Sequence, residues 1–177
     1  MSHIKTALLY LVKIALIFIF TLIIYLPLQL ILTSAVQNSG DTSKTLLIYG
    51  IFGIIFELIL IFVLFYKDFC NEKNLDVKSF TIPFAIALIM QLIIASINHF
   101  YIYTAGCGVS FIGQFIQASK AGVIPQTPNE VPLSYYLIIT FIADILRYLT
   151  VFFAYKAAKQ KHKKEKAELL SQTKNAG

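Results

Sequence analysis

The chain has 177 residues, 58% of them hydrophobic and 14% charged, with a formal net charge of +6 and a mean hydropathy of +0.74. Soluble domains run about 45–50% apolar and about 25% charged, so an ordinary water-soluble globule is excluded. The expected fold is all-α: a polytopic integral membrane protein with four transmembrane helices in a bundle, since four apolar runs reach the roughly 20 residues that cross a ~30 Å hydrocarbon core.

The first run spans about residues 6–34. Lys5 precedes it and Thr33, Ser34 and Ala35 resemble a cleavage site, but the apolar stretch is nearly twice the length of a signal-peptide core, so a retained helix is expected. Pro27 lies near its outer end, where a kink is expected. Lys13 sits ~10 Å from the inner end by helical rise and either joins a midplane layer or snorkels to the cytoplasmic surface.

The second run, about 45–66, places Gly50, Gly53 and Glu57 at i, i+3 and i+7, one face of small residues leading to a carboxylate ~14 Å deep. The loop after it holds Lys67, Lys73 and Lys78. With the lysines of the C-terminal tail, and only Lys44 and Lys120 in the outer loops, the positive-inside rule puts both termini in the cytoplasm. A plasma (cytoplasmic) membrane location is the expectation.

The third run, about 80–103, carries the stripe Ala87, Gln91, Ala95 and Asn98, with Gln91 ~16 Å deep. At its outer end Asn98, His99, Tyr101 and Tyr103 form a polar-aromatic belt suited to the membrane interface. The outer loop that follows is too long and apolar for a plain connector. Between Val109 and Lys120 the residues Ser110, Gly113, Gln114, Gln117 and Lys120 share one arc of a helical wheel. Phe111, Ile112, Phe115, Ile116 and Ala118 take the other. This predicts a short amphipathic helix on the outer surface, or one half of a re-entrant hairpin. Gln114 and Gln117, with Asn98 and His99, are the candidate outer-face polar residues.

The fourth run, about 133–155, aligns Thr140, Asp144 and Arg147, with Asp144 ~16 Å and Arg147 ~12 Å deep. Residues 1–155 thus form one transmembrane domain, and 156–177 a basic cytoplasmic tail that is helical at its start. Lys156, Lys159, Lys161, Lys163, Lys164 and Lys166 crowd just past the membrane. No Phe, Trp or Tyr follows Tyr155 to stack on bases, so the expected contacts are anionic lipid headgroups and not nucleic acid.

The polar stripes should face one another, because small residues allow close helix approach in lipid and polar ones bond across it. Arg147 is the natural partner of Glu57, and Asp144 can share Arg147 or pair with Lys13. The intramembrane cluster Glu57, Asp144, Arg147, Gln91 and Lys13 then sums to zero formal charge. Such a layer either fixes helix register or marks a route for a proton, ion or substrate.

Chemistry elsewhere is sparse. His99 and Cys107 are eight residues apart, about 80° and ~12 Å along a continuous helix, and become a catalytic dyad only if Gly106 and Gly108 turn the chain back. Cys70 and Cys107 fall on opposite sides of the bilayer and do not pair. No phosphate loop, zinc-protease or nucleophile-elbow motif occurs, and neither a metal nor a cofactor is expected. The reading is a non-enzymatic multi-pass protein, a transport or channel-type or partner-binding subunit that works as a homo-oligomer or in a larger complex. The alternatives are a membrane-embedded enzyme, cysteine peptidase-like or lipid-handling, acting through His99 and Cys107, and a structural or immunity-type membrane protein.

Overall fold

Backbone N–H and C=O groups surrounded by lipid have no water to bond, so apolar runs of this length satisfy them internally as helices. The computed structural model describes residues 3–36, 42–71, 77–98, 107–122 and 131–175, and those residues form five helices. They are α1 (His3–Val36), α2 (Thr42–Asn71), α3 (Val77–Asn98), α4 (Cys107–Ala121) and α5 (Leu133–Asn175). Three of them are long and apolar enough to cross a membrane, over Ile4–Ile24, Lys44–Asn71 and Leu133–Glu168. In α3 the apolar stretch is shorter, Phe80–Ile94. Helix α1 continues through Pro27 and α3 through Pro83.

Packing is inverted relative to a soluble protein. Large apolar side chains face outward: Val12, Phe20 and Ile23 on α1, Phe52, Ile59 and Val63 on α2, Ile89 and Ile93 on α3, and Ile138, Phe141 and Phe153 on α5 are all more than half exposed. Thr21, Thr45, Glu57, Gln91, Ser110, Thr140, Asp144 and Arg147 are buried. An apolar exterior around polar interior groups is stable only in an apolar solvent. A membrane location follows.

Two apolar clusters fill the interior. Toward the C-terminal end of α2, Tyr10, Phe65, Phe69, Phe80, Phe84 and Tyr155 interlock with Ile14, Ile61 and Val151. Several rings meet edge to face, Phe65 against Phe84 at 5.4 Å and Phe69 against Tyr155 at 6.0 Å between centroids, an arrangement favoured by the ring quadrupole. At the other end Val109, Val131, Tyr136, Ile139 and Ala143 pack together. Arg147 lies on α5 between Ala143 of the second cluster and Val151 of the first, and Glu57 bonds to it, so the buried charges occupy the seam.

Helix α2 is central, packing on α4 and α5, while α1 packs chiefly on α3. The α2–α4 contact is backbone to backbone. A Cβ on Gly108 would stand 2.6 Å from Ile54 N and 2.7 Å from Gly50 O, and one on Gly113 would stand 2.5 Å from Tyr136 Cε1. Helix α4 ends where Gly122, at φ 69°, takes the left-handed conformation and its N–H reaches Ala118 O at 2.9 Å, a closure suited to glycine. Since Gly108 meets Ile54 while Lys120 donates to the Tyr135 hydroxyl at 2.9 Å, α4 runs antiparallel to the neighbouring parts of α2 and α5. Its N-terminal end points toward the seam. On the arc expected to face water Ser110 and Gly113 are buried, Gln114 and Gln117 half-buried and Lys120 exposed, while on the other arc Ala118 is buried and Phe111, Ile112, Phe115 and Ile116 are half-buried, so both faces are packed toward the N-terminal end of the helix. Small side chains, not polarity, decide that contact.

Helix α5 passes without a break from Leu133 to Asn175, 43 residues, about 64 Å. Its first turns beyond Tyr155 still touch α2: Ala158 is buried and His162 Nε2 lies 3.3 Å from Phe69 O. With Nε2 protonated, it donates to a carbonyl of the last turn of α2, which has no helical partner of its own.

Candidate functional site

Helix α2 carries Glu57 one turn past Ile54, and α5 carries Asp144 and Arg147 one turn apart on a single face. Because α2 and α5 pack along their lengths, the three side chains meet. Arg147 Nε donates to Glu57 Oε1 at 2.6 Å and Nη2 to Oε2 at 3.2 Å, while Nη1 donates to Asp144 Oδ1 at 2.5 Å. The guanidinium fork spans one carboxylate bidentately and still reaches a second, a geometry that a lysine cannot reproduce. Side-chain exposures are 1% for Arg147, 3% for Glu57 and 9% for Asp144. From α1, the Phe18 ring stacks against the guanidinium, its centroid 4.9 Å from Arg147 Cζ, a cation–π contact that strengthens where water is excluded.

Lys13 is corrected by the structure. It does not join this cluster but pairs with Asp68 of α2, its ammonium also 5.8 Å and 5.6 Å from the Tyr10 and Phe65 ring centroids. Its side chain is 27% exposed and that of Asp68 41%. The long aliphatic stem carries the charge toward the end of the bundle at the C-terminus of α2, where hydration offsets desolvation, while Phe18 takes the position on α1 opposite Arg147. This changes the charge balance. Lys13 and Asp68 neutralise each other, and the triad Glu57–Arg147–Asp144 is left with two carboxyl groups for one guanidinium, formally −1.

The N-terminal end of α4 is part of that electrostatic setting. Gly108 packs at Ile54, about 4.5 Å along α2 from the level of Glu57, and Val109 packs in the same cluster as Ala143, the neighbour of Asp144. A helix N-terminus carries roughly half a positive charge, so α4 offsets part of the excess negative charge. Gln91 is buried on α3 between Leu88 and Leu92, which with Asp144 and Tyr148 line a groove of about 340 Å³ between α3 and α5.

The remaining candidates lie elsewhere. Asn98 is the last residue of α3 and Cys107 the first of α4, and His99 lies outside the described residues. Cys107 adjoins Gly108, packed at Ile54, whereas Cys70 is about 24 Å further along α2 and is a free thiol. Among the described residues no group of three His, Cys, Asp or Glu side chains is placed to hold a metal. Of the tail lysines, Lys156 and Lys159 lean on aromatic rings, 4.8 Å from the Phe152 and 5.5 Å from the Tyr155 centroid. Lys161 lies 3.8 Å from Glu165, and Lys163, Lys164 and Lys166 are exposed.

Sequence reasoning missed Phe18 and Asp68. Asp68 carried a signal, since its charge stands two residues past the apolar run and within reach of a snorkelling lysine. Phe18 is one of fifteen phenylalanines and carried none. Compared with protein-family models, curated proteins and solved structures, the chain matches none.

Proposed function

We propose that this is a non-enzymatic multi-pass protein of the plasma membrane, a small transport or channel-type or partner-binding subunit, with the Arg147 triad as its working centre near the bilayer midplane. The supporting observation is a buried charged triad of formal charge −1 inside an otherwise apolar bundle. A neutral pair would serve as well to fix helix register, and an uncompensated carboxylate in lipid is tolerated where something positive comes and goes.

On this reading four helices span the bilayer: α1, α2, α3 and α5. Helix α4 is half of a re-entrant hairpin whose inner end lies over the triad, an arrangement found where non-helical backbone borders a protected cavity. Residues 1–155 are the membrane domain and 156–177 the cytoplasmic tail, whose first lysines meet anionic headgroups. Both termini are cytoplasmic. Four helices enclose little volume, so the working form is an oligomer or a complex with other subunits.

The test combines a double-mutant cycle on thermal stability in nanodiscs, using Glu57→Gln and Arg147→Gln singly and together, with proton and cation flux in liposomes. A working centre predicts that flux changes in the variants that still fold. If both single changes destabilise, the double variant recovers and no flux is seen in any form, the triad is a structural clasp and the proposal fails.

A further inference from the structure

Arg147 divides the interior of the bundle unevenly. Toward the C-terminal ends of α2 and α5 the core is the cluster of Phe65, Phe69, Phe80, Phe84, Val151 and Tyr155, which fills the ~12 Å of helix from Arg147 to Tyr155. Among the described residues, the buried polar ones outside the triad, Thr21, Thr45, Gln91, Ser110 and Thr140, stand on the opposite side, toward α4. Thr21 lies one turn past Phe18, the ring that meets Arg147, and Gln91 two turns past Phe84, which meets Tyr148.

The polar side is ordered along α5. Tyr136, Thr140 and Asp144 follow one another at i, i+4 and i+8, hence on one face, and all three are buried. Helix α4 covers this row: a Cβ on Gly113 would stand 2.5 Å from Tyr136 Cε1, and Val109 packs with Tyr136, Ile139 and Ala143. Oxygen-bearing groups recur about every 6 Å along it, a separation that one hydrogen-bonded water spans. The row ends beside the exposed hydrogen bond from Lys120 to the Tyr135 hydroxyl.

We propose that the triad is loaded from the α4 side alone, by a proton that passes along the Tyr136–Thr140 row to Asp144, while the aromatic cluster beyond Arg147 closes the tail side. The inference rests on the reading of the triad as a working centre and names its ligand and the side it comes from. One proton, taken from water at the α4 end and bound by the Asp144 carboxylate, brings the triad from −1 to zero and leaves the Glu57–Arg147 pair in place. A hard metal cation needs about six oxygen ligands, which single oxygens one turn apart do not supply. The titratable and charged groups facing Asp144 are Glu57 from α2 and Arg147 on its own helix, with Tyr148 one turn on. The neighbouring helices present Phe18, Leu88 and Val109 at this level, and Lys13 is turned away to Asp68. Release to the tail side requires the aromatic cluster to part, so transport through this centre is carrier-like.

The experiment uses the full chain in right-side-out and inverted membrane vesicles, with pH set separately on each side and access of added protease to the tail identifying the sides. The probe is dicyclohexylcarbodiimide, a neutral reagent that couples to protonated carboxyl groups in apolar surroundings, and mass spectrometry reads its adduct at Asp144. Labelling of the wild type should rise about tenfold as pH on the α4 side falls by two units, and change by less than about twofold for the same step on the tail side. Replacing both hydroxyls, Tyr136→Phe with Thr140→Val, should cut the response to the α4 side at least about threefold. Equal response to both sides, control by the tail side, no adduct at Asp144 at any pH, or an undiminished response in the double variant overturns the proposal. The sidedness measurement needs no variant and stands whether or not the double variant folds. If it fails while the Glu57–Arg147 cycle and the flux assay still report a working centre, the ligand and its route alone are wrong; if those fail too, both readings fall.

Discussion

At the scale of single residues, the imbalance around Arg147 makes two carboxylates with similar burial respond oppositely to neutralisation. Glu57→Gln also brings the triad to formal neutrality, but it replaces one oxygen of the bidentate acceptor with an amide N–H₂ that meets the guanidinium donor to donor, a loss of about 1–3 kcal/mol for an unsatisfied buried donor. Asp144→Asn keeps an amide oxygen for Nη1 while bringing the triad to formal neutrality. Thermal unfolding in nanodiscs should give a markedly lower Tm for the first and a Tm at or above wild type for the second; equal destabilisation would show that the excess charge is already compensated. Lys13→Ala should matter little, because a half-exposed pair contributes about 0–1 kcal/mol. The Glu57–Arg147 partnership was legible in the sequence, where two opposite charges stand at matching depths in spans that otherwise exclude charge. Lys13 was not, because depth along one helix gives neither its azimuth nor the reach of a lysine stem, and the pull of Asp68 comes from beyond the apolar run.

At the scale of elements, the docking of α4 depends on glycine at one crossing. Gly108 approaches backbone atoms of α2, Ile54 N and Gly50 O, which cannot move aside as a side-chain tip can. Gly108→Ala therefore separates the two helices and should lower stability by about 1–3 kcal/mol, the usual cost of overpacking. Gly122→Ala has nothing within 4 Å and suffers only from its left-handed backbone, about 1–2 kcal/mol. Proteolysis distinguishes them: loss of the α4 contact should open cleavage at Lys120 in the Gly108 variant and not in the Gly122 variant, and identical cleavage in both would sink the crossing as the cause. The helix itself was legible from its period, and the glycine stripe on α2 announced a close neighbour. Which face of α4 would be buried was not, since a wheel sorted by polarity treats Ser110 and Gly113 as solvent-facing when their small size is what matters.

The tail is also a matter of elements. If α5 stays straight, Lys174 stands about 27 Å from Lys156, several times the ~8 Å screening length, and only the first tail lysines feel the headgroups. Energy transfer from a fluorophore on Lys174→Cys, in a chain lacking Cys70 and Cys107, to acceptor lipids should be weak and insensitive to anionic lipid. Strong transfer that rises with anionic lipid and falls with salt would instead lay the tail along the surface.

At the scale of the whole molecule, the distribution of charge decides which way the bundle faces. The interior holds its fully buried charges together at Glu57, Asp144 and Arg147, and the exterior is hydrocarbon along α1, α2 and α5, so the helices sort into lipid whichever end leads. Direction comes from what cannot cross: the lysines after Tyr155 lie on a helix continuous with the last span, and moving them through the bilayer together would cost a few kcal/mol for each charge. In a cysteine-free chain reconstituted in sealed inside-in cells, an impermeant thiol reagent should label Lys44→Cys and Lys120→Cys directly, and Lys67→Cys and Lys163→Cys only after permeabilisation. Direct labelling of Lys120→Cys together with Lys163→Cys would require an even number of crossings between α4 and the tail, and would overturn the cytoplasmic placement of the tail. Labelling along 108–114 extends the same logic inward. Positions near Gly108 should be protected while those near Lys120 react, because a helix whose first residues pack three residues from Glu57 has its inner end under the apolar cluster of Val109, Tyr136 and Ala143, and a helix lying flat on the surface would instead react with a period of one turn.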